Sequence, residues 1–488
     1  MAISWNQVPA SLRVPGVYSE IDNSRAVTGP QVIQYKRLLF GQLLAAGSAT
    51  ANQLVRITSA AQAKTLFGEG SMLHGMAQAA FDQDEFTETW VMPVSDNGAG
   101  VQASGTVAVA GPSTAAGTIS LYIAGRLVEV AVASGDSANT IAAAINTAIG
   151  DAADLPVTAT VSTNTVTITA RHKGTCGNEI DLRVNYQDGE ETPAGVTLTI
   201  TAMASGATNP TLTTAIANLG DEWFHIWAIG WTDATSLTAI EEELADRFGP
   251  LREIEGHAIA AKRDSHSNLG TLGGSRNSPH LTIVQAYAEP MPAYEKAAET
   301  AAIVAYYGAI DPARPIQNLP YTWCLPAKQA DQFTLAERNI LLFDGIATTK
   351  LAAGGVMQVE RLITTYKENE AGGADTSYLD IETMLTLLFI RHDWRDYVKR
   401  KYPRHKLASD GTRFGPGQAV VTPKLMKAEQ VVKFREWEEI GLVENIDQFK
   451  RDQISERNIS DPNRLDNLLP PDLVNQLRIV ANQIQFRL

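Results

Sequence analysis

The chain holds only two cysteines in 488 residues, Cys176 and Cys324. They form no CxxC pair and no disulfide framework, so both are expected as reduced, mostly buried thiols. Long apolar runs are also missing. The richest, "HIWAIGW" at 225–231, is strand length and far short of the 18 or more residues of a membrane helix. The first residues, "MAISWNQVPA", carry no basic stretch ahead of an apolar one. No secretory signal is read there, and a chain made and folded in a cytoplasm is expected. Positive charge is short as well: 40 Lys and Arg stand against 54 Asp and Glu, a net charge of -14. Such a balance suits a soluble protein and disfavours general binding to nucleic acid.

Catalytic signatures are equally scarce. Gly68 and Gly70 in "LFGEGSM", and Gly270, Gly273 and Gly274 in "NLGTLGGSRN", match neither GxxxxGK[ST] nor GxGxxG after a strand. Phosphate cradling therefore lacks its lysine. His257, His266 and His280 share one region but follow no metal-ligand spacing, and no HExxH occurs. Asp264, Ser265 and His266 are adjacent in "RDSHS", where a nucleophile and its base would have to meet across a fold, and no GxSxG elbow is present. The carboxylates of "EEELADR" and "KFREWEEIG" read as solvated faces or intersubunit charge partners. No catalytic residue, cofactor site or metal site is assigned.

What is present is organisation. Residues 1–30 are broken by Pro9, Pro15 and Pro30 and read as an extended arm, with Val17, Tyr18 and Ile21 as its docking side chains. Residues 31–97 read as the first part of an α/β core. In it, "SAAQAKTLFG" is a helix capped by Ser59 and stopped by Gly68. Residues 98–208 then carry only 13 charged side chains in 111 positions. Hairpins about Gly125 and about Thr163-Asn164, one helix capped by Asp136 or Ser137, and further strands make this a β-rich domain inserted between loops. From 209 to 375 the β-α-β rhythm resumes, implying a partly parallel sheet. Residues 376–472 open with the longest helix, for which Ser377 and Asp380 fit a capping box and Pro403 an end. Residues 473–488 form a strand-patterned arm. The fold class is thus multidomain α/β, with a mixed core, a β-rich insertion and extended ends.

One charge run stands out. Residues 391–413 hold eight Lys or Arg against three Asp, on a chain that is otherwise acidic. Arg395, Lys399, Arg400 and Arg404 are expected to face an acidic surface on another subunit, with a solvated helix end or a nucleic-acid site as alternatives. At the end of the chain, "LRIVANQIQFRL" alternates twice, and Ile484, Phe486 and Leu488 fall on one face of a final strand. Such a strand needs a partner edge. If another subunit supplies that edge, the joint is strand addition, and a head-to-tail contact that does not close gives a helical filament.

The order of these segments resembles the tail sheath proteins of contractile bacteriophages, of the Mu-like type. The resembling stretches are "RVPGVYSEIDNS" (13–24), "FGEGSMLHGMAQAAF" (67–81), "GRLVEVAVASGDSANTIAAAINTAI" (125–149) and "WFHIWAIGWTD" (223–233). "ITTYKEN" (363–369) and "SYLDIETMLTLLFIRHDWR" (377–395) also look like it. The resemblance implies a non-catalytic subunit of a virion tail, assembled in the host cytoplasm. It would polymerise helically, in hexameric rings, around an inner tail tube, and contract to drive the tube through a host envelope. The terminal arms would donate strands to neighbours, the C-terminal domain would lie toward the tube, and the insertion would lie outside. The implied partners are other copies, tail tube protein, baseplate and tail terminator proteins, with no small-molecule substrate, specific nucleic acid or membrane insertion. Many sheath proteins carry an "RT" stretch before a "WRYI"-like segment. This chain has "IRHDWRDYVKR" and, later, "GTRF", so no role is carried onto those positions. Two readings of other classes stand beside it: an α/β enzyme with an unrecognised site, and a baseplate-like surface-binding module.

Overall fold

The computed structural model describes residues 33–487. The expectations for Val17, Tyr18, Ile21 and Leu488 lie outside the described residues. The described chain divides into two compact units, one of residues 33–388 with 475–487, the other of residues 389–474.

The larger unit is built on an eight-stranded sheet. Its spatial order is Met357–Arg361, Ile346–Leu351, Leu281–Gln285, His257–Lys262, Ile226–Ile229, Lys36–Gln42, Glu88–Val94 and Val55–Ile57. The six inner strands run parallel, and the two edge strands are antiparallel to their neighbours. The inner strands are near-continuous apolar runs ("RLLFG", "IWAI", "HAIAA") because helices bury them from both faces. Helix ends follow local chemistry. Ser59 Oγ accepts from Gln62 N at 3.3 Å, Asp233 Oδ1 accepts from Ser236 N at 3.0 Å, and Thr334 with Glu337 forms a full capping box. Helix Ala293–Ile310 is buried along most of its length and packs against helix Met72–Gln83. Its buried charges are all engaged. Lys296 pairs with Glu289 and donates to Gln285 O at 2.6 Å. Glu299 accepts the backbone N–H groups of Thr322, Trp323 and Cys324 at 2.5–2.9 Å.

Residues 102–204 form a separate β-rich layer pair with its own core. One sheet has the order Thr197–Ala204, Gln102–Ala110, Thr165–Lys173, Val157–Ser162. The other has Arg126–Val132, Gly117–Ile123, Leu182–Val184. Helix Ala138–Asp151 closes the core with Ile141, Ile145 and Ile149, and Ser137, not Asp136, is its cap. The Ala124-Gly125 turn has positive φ at both residues, the primed geometry that matches strand twist. A Cβ on Gly125 would lie 2.0 Å from Met291 Sδ, so only glycine fits there. A bridge between Val101 and Ala207 closes the neck of this layer pair.

The smaller unit packs helices Pro423–Glu439 and Ile446–Asp452 around Phe434, Trp437 and Phe449, all fully buried. Thr422 caps the first of these helices and Pro423 opens it. Helix Ile381–Lys401 begins three residues later than the sequence implies. The Ser377–Asp380 capping box does not form. Ser377 bonds Asp375 instead, and the Asp380 carboxylate is taken by Arg361 and Arg478.

Candidate assembly interfaces

An open parallel sheet places ligands in the crevice at the carboxyl ends of its strands. Here residues 172–181 of the β-rich domain fill that edge. Gln42, last in its strand, donates to Asp96 Oδ1 at 2.7 Å and Lys173 O at 2.9 Å, while its Oε1 accepts from Trp231 Nε1 at 3.3 Å. His172 Nε2 accepts from Met72 N at 3.0 Å, which puts its proton on Nδ1, 2.8 Å from Asp96. Burial works against the Asp96 charge. The hydrogen bonds from His172, Lys173 N and Gln42 outweigh it and hold the carboxyl below its usual range. Lys262, at the end of its strand, pairs with Glu179 at 2.5 Å, and Arg263 pairs with Asp181. The residual void beside Cys176, Glu179 and Trp231 is about 10 Å³. Burial pushes the Cys176 thiol up to about 12, so it is no nucleophile at neutral pH.

The remaining catalytic candidates are consumed by structure. Ser265 caps helix His266–Gly274, Asp264 Oδ1 accepts from Ser265 N and Asn268 Nδ2, and His266 Nε2 bonds Glu337 O at 3.0 Å. His257 and His280 are buried, which lowers them to about 3 and about 4, and both are neutral at pH 7. His225 lies stacked between Tyr35 and Trp223, with ring centroids 4.7 and 4.6 Å away.

In the smaller unit the basic run separates into spent and outward charges. Lys401 is spent on Glu429 at 2.7 Å, and Tyr402 also donates to Glu429 at 2.8 Å. Burial opposes the Glu429 charge, but the bonds from Lys401, Tyr397 and Tyr402 hold its carboxyl below the usual range. Lys433 is buried against Asp393 at 2.6 Å, where Trp437 Nε1 also donates at 2.7 Å. Arg395 is half-buried and reaches His392 at 3.3 Å. Lys399, Arg400 and Arg404 are exposed. Lys399 and Arg404 form no ion pair among the described residues. The same unit carries a two-stranded hairpin, Ile454–Arg457 with Leu465–Leu468, whose outer edges pair with no described strand. Ile454 and Leu468 sit opposite each other on it, both exposed.

The C-terminal segment exposes a run of apolar side chains. Among the described residues none of 475–487 is in a strand. Ile479, Val480, Ile484 and Phe486 are exposed, Ile484 by 88% and Phe486 by 80%. Sequence reasoning found Ile484 and Phe486 but missed what holds the segment. Arg478 donates to Gln317 Oε1 at 3.1 Å, Asp380 Oδ1 at 3.1 Å and Glu382 Oε2 at 2.8 Å. Its partners lie 96 to 161 residues away in sequence, and no local pattern marks them.

The chain belongs to the phage tail sheath family: the central-domain model of phage tail sheath proteins matches residues 205–365, and the C-terminal-domain model matches 373–487. It is 45% identical over 486 residues to the Mu-like prophage FluMu tail sheath protein of Haemophilus influenzae, covering 100% of both chains. Among solved structures, the sheath tail protein of Desulfitobacterium hafniense aligns with 94% of this chain and 100% of its own, at 12% identity and a TM-score of 0.48. The contracted helical sheath of the anti-feeding prophage aligns with 97% of this chain and 99% of its own, at 11% identity and a TM-score of 0.47.

Proposed function

We propose that this sheath protein polymerises helically, in hexameric rings, around an inner tail tube, and that the polymer contracts to drive the tube through a host envelope. The observation that carries the reading is the C-terminal segment, whose apolar side chains are exposed and which finds no strand partner among the described residues. Unpaired N–H and C=O groups beside exposed Ile484 and Phe486 favour addition to a sheet edge of another copy. The hairpin Ile454–Arg457/Leu465–Leu468 has the property a receiver needs. A lone two-stranded sheet is marginal in water and gains most from a third strand. The residues Val17, Tyr18, Ile21 and Leu488 take the same role at the two ends.

The 98–208 domain lies on the outside of the polymer and 376–472 toward the tube. Arg395, Lys399, Arg400 and Arg404 meet an acidic surface of a neighbouring copy or of the tube protein. Baseplate and tail terminator proteins bound the polymer, and assembly takes place in the host cytoplasm. The chain performs no catalysis. The filling of the strand ends by residues 172–181 supports this, since that edge is where an enzyme of this architecture would hold its substrate. Electron microscopy of the purified chain tests the reading. Tubes or stacked rings are expected for the full chain and only unassembled subunits after deletion of 482–488, with the melting temperature of the subunit kept. Unfolding of the truncated subunit would assign the segment to its own fold.

A further inference from the structure

Arg478 is 12% exposed at its side chain, between Leu477 and Ile479 at 70% and 83%. Besides its three acceptors, the segment is held by Gln317 Nε2, which donates to Leu477 O at 3.4 Å. The acceptors are themselves fixed. Glu382 is fully buried, and its other oxygen accepts from Ile316 N at 2.6 Å. Asp380 also takes two hydrogen bonds from Arg361, both at 2.9 Å. Two guanidinium groups and two carboxylates thus balance where loop 316–317, strand Met357–Arg361 and the first turn of helix Ile381–Lys401 meet. A buried carboxylate such as Glu382 strongly disfavours losing its one cationic partner, so the cluster favours the closed state.

We infer that Arg478 is the anchor of the C-terminal arm: it fixes the root, so that the stretch available to a second copy of this chain begins at Ile479, and tension along the arm enters the sheet through Asp380 and Glu382. The inference rests on the arm-donation reading above. Were the anchor to open, the next hold along the chain is Val474 N on Leu442 O at 3.1 Å. Four further residues would be released, about 13 Å of extended chain. The cluster therefore sets the reach of the arm.

The experiment uses the full chain and trypsin, which cuts after arginine and lysine, with mass spectrometry of the products. In the unassembled wild type, cutting after Arg413, exposed in a loop, is expected at least about tenfold faster than after Arg478, whose side chain is held. R478K keeps the cleavage site and the charge, but one ammonium nitrogen on a shorter stem does not occupy both places held by Nη1, on Gln317, and Nη2, on Asp380 and Glu382. E382Q keeps the arginine and the bond from Ile316 N while removing the buried charge. In both, cutting after residue 478 should rise about tenfold, with cutting after Arg413 unchanged. R478K should also raise the concentration needed for tube assembly by roughly twofold, since a tether four residues longer lowers effective concentration. Equal cutting after residue 478 in wild type and both variants overturns the anchor. So does assembly of R478K at the wild-type concentration. Deletion of 482–488 leaves the anchor intact, so unaffected tubes from that variant would instead overturn arm donation. The two failures are thereby separable.

Discussion

The β-rich domain of 102–204 and the arm of 475–487 are both appendages of one sheet, yet they are held in opposite ways. The domain closes its own apolar core, with Val107, Leu121, Ile145 and Ile168 inaccessible. It then adds polar ties to the sheet. Arg126 reaches Glu295 at 3.1 Å, Glu179 reaches Lys262 and Asp181 reaches Arg263. The arm leaves its apolar side chains in water and is tied through Arg478 and Leu477 O alone among its described residues. A domain low in charge keeps several of its charges for one seam, whereas an arm rich in apolar side chains keeps them unburied. The contrast teaches that burial within the subunit is complete where the domain docks and deferred where the arm begins.

The sharpest break of this comparison is the deletion of 482–488, expected to abolish tubes while leaving subunit melting within experimental scatter. Ile484 and Phe486 have little area to lose in the subunit and about 1.5–3 kcal/mol each to gain in a joint. The opposite result is expected at the seam. Arg126→Met leaves Glu295, 1% exposed at its side chain, without its cation, and should destabilise the subunit by roughly 3–5 kcal/mol in denaturant melts. A loss below 1 kcal/mol would mean that the seam holds little. Excision of 98–208 would likewise remove the cationic partner of Glu295 along with the domain.

A smaller effect, by pH, separates the sheet that carries both appendages from the arm. Burial lowers His257 to about 3 and His280 to about 4, below the ordinary value of about 6.5 in an unfolded chain. Between those limits the unfolded chain binds more protons, so stability falls as pH drops below about 6.5, by up to about 1.4 kcal/mol per pH unit for each imidazole. The contribution of these imidazoles is lost as pH falls from 7 to 5, and His280→Gln should remove its part of that loss. The apolar arm contributes no such slope of its own. An unchanged slope in the variant would remove His280 from the account. The smallest effect is expected from reversing Lys399 and Arg404 to glutamate. Assembly should slow by a few-fold and respond more strongly to salt, because exposed charges are screened beyond about 8 Å at physiological ionic strength. Subunit melting should not move. Normal assembly of this variant at low salt would remove the acidic-surface reading.

The sequence alone determined the elements whose causes are local. Ser59 announced one helix start and Asp136 or Ser137 another, Gly125 a tight turn, and apolar runs such as "IWAI" a buried strand, because caps, turns and periodicity act over a few residues. It also found the exposed apolar side chains of the arm, since alternation needs no partner to be visible. The tertiary structure decided what depends on distant pairing. Gln42 meets Lys173 across 131 residues, closing the edge where an enzyme would open one. Asp380, expected to cap a helix, instead receives Arg361 and Arg478, because two guanidinium groups brought to it by the fold compete better for a carboxylate than one backbone N–H. Arg478 read as the polar alternate of a strand. Only folding brought it to Glu382, since a buried charge takes its counter-charge wherever the chain supplies one.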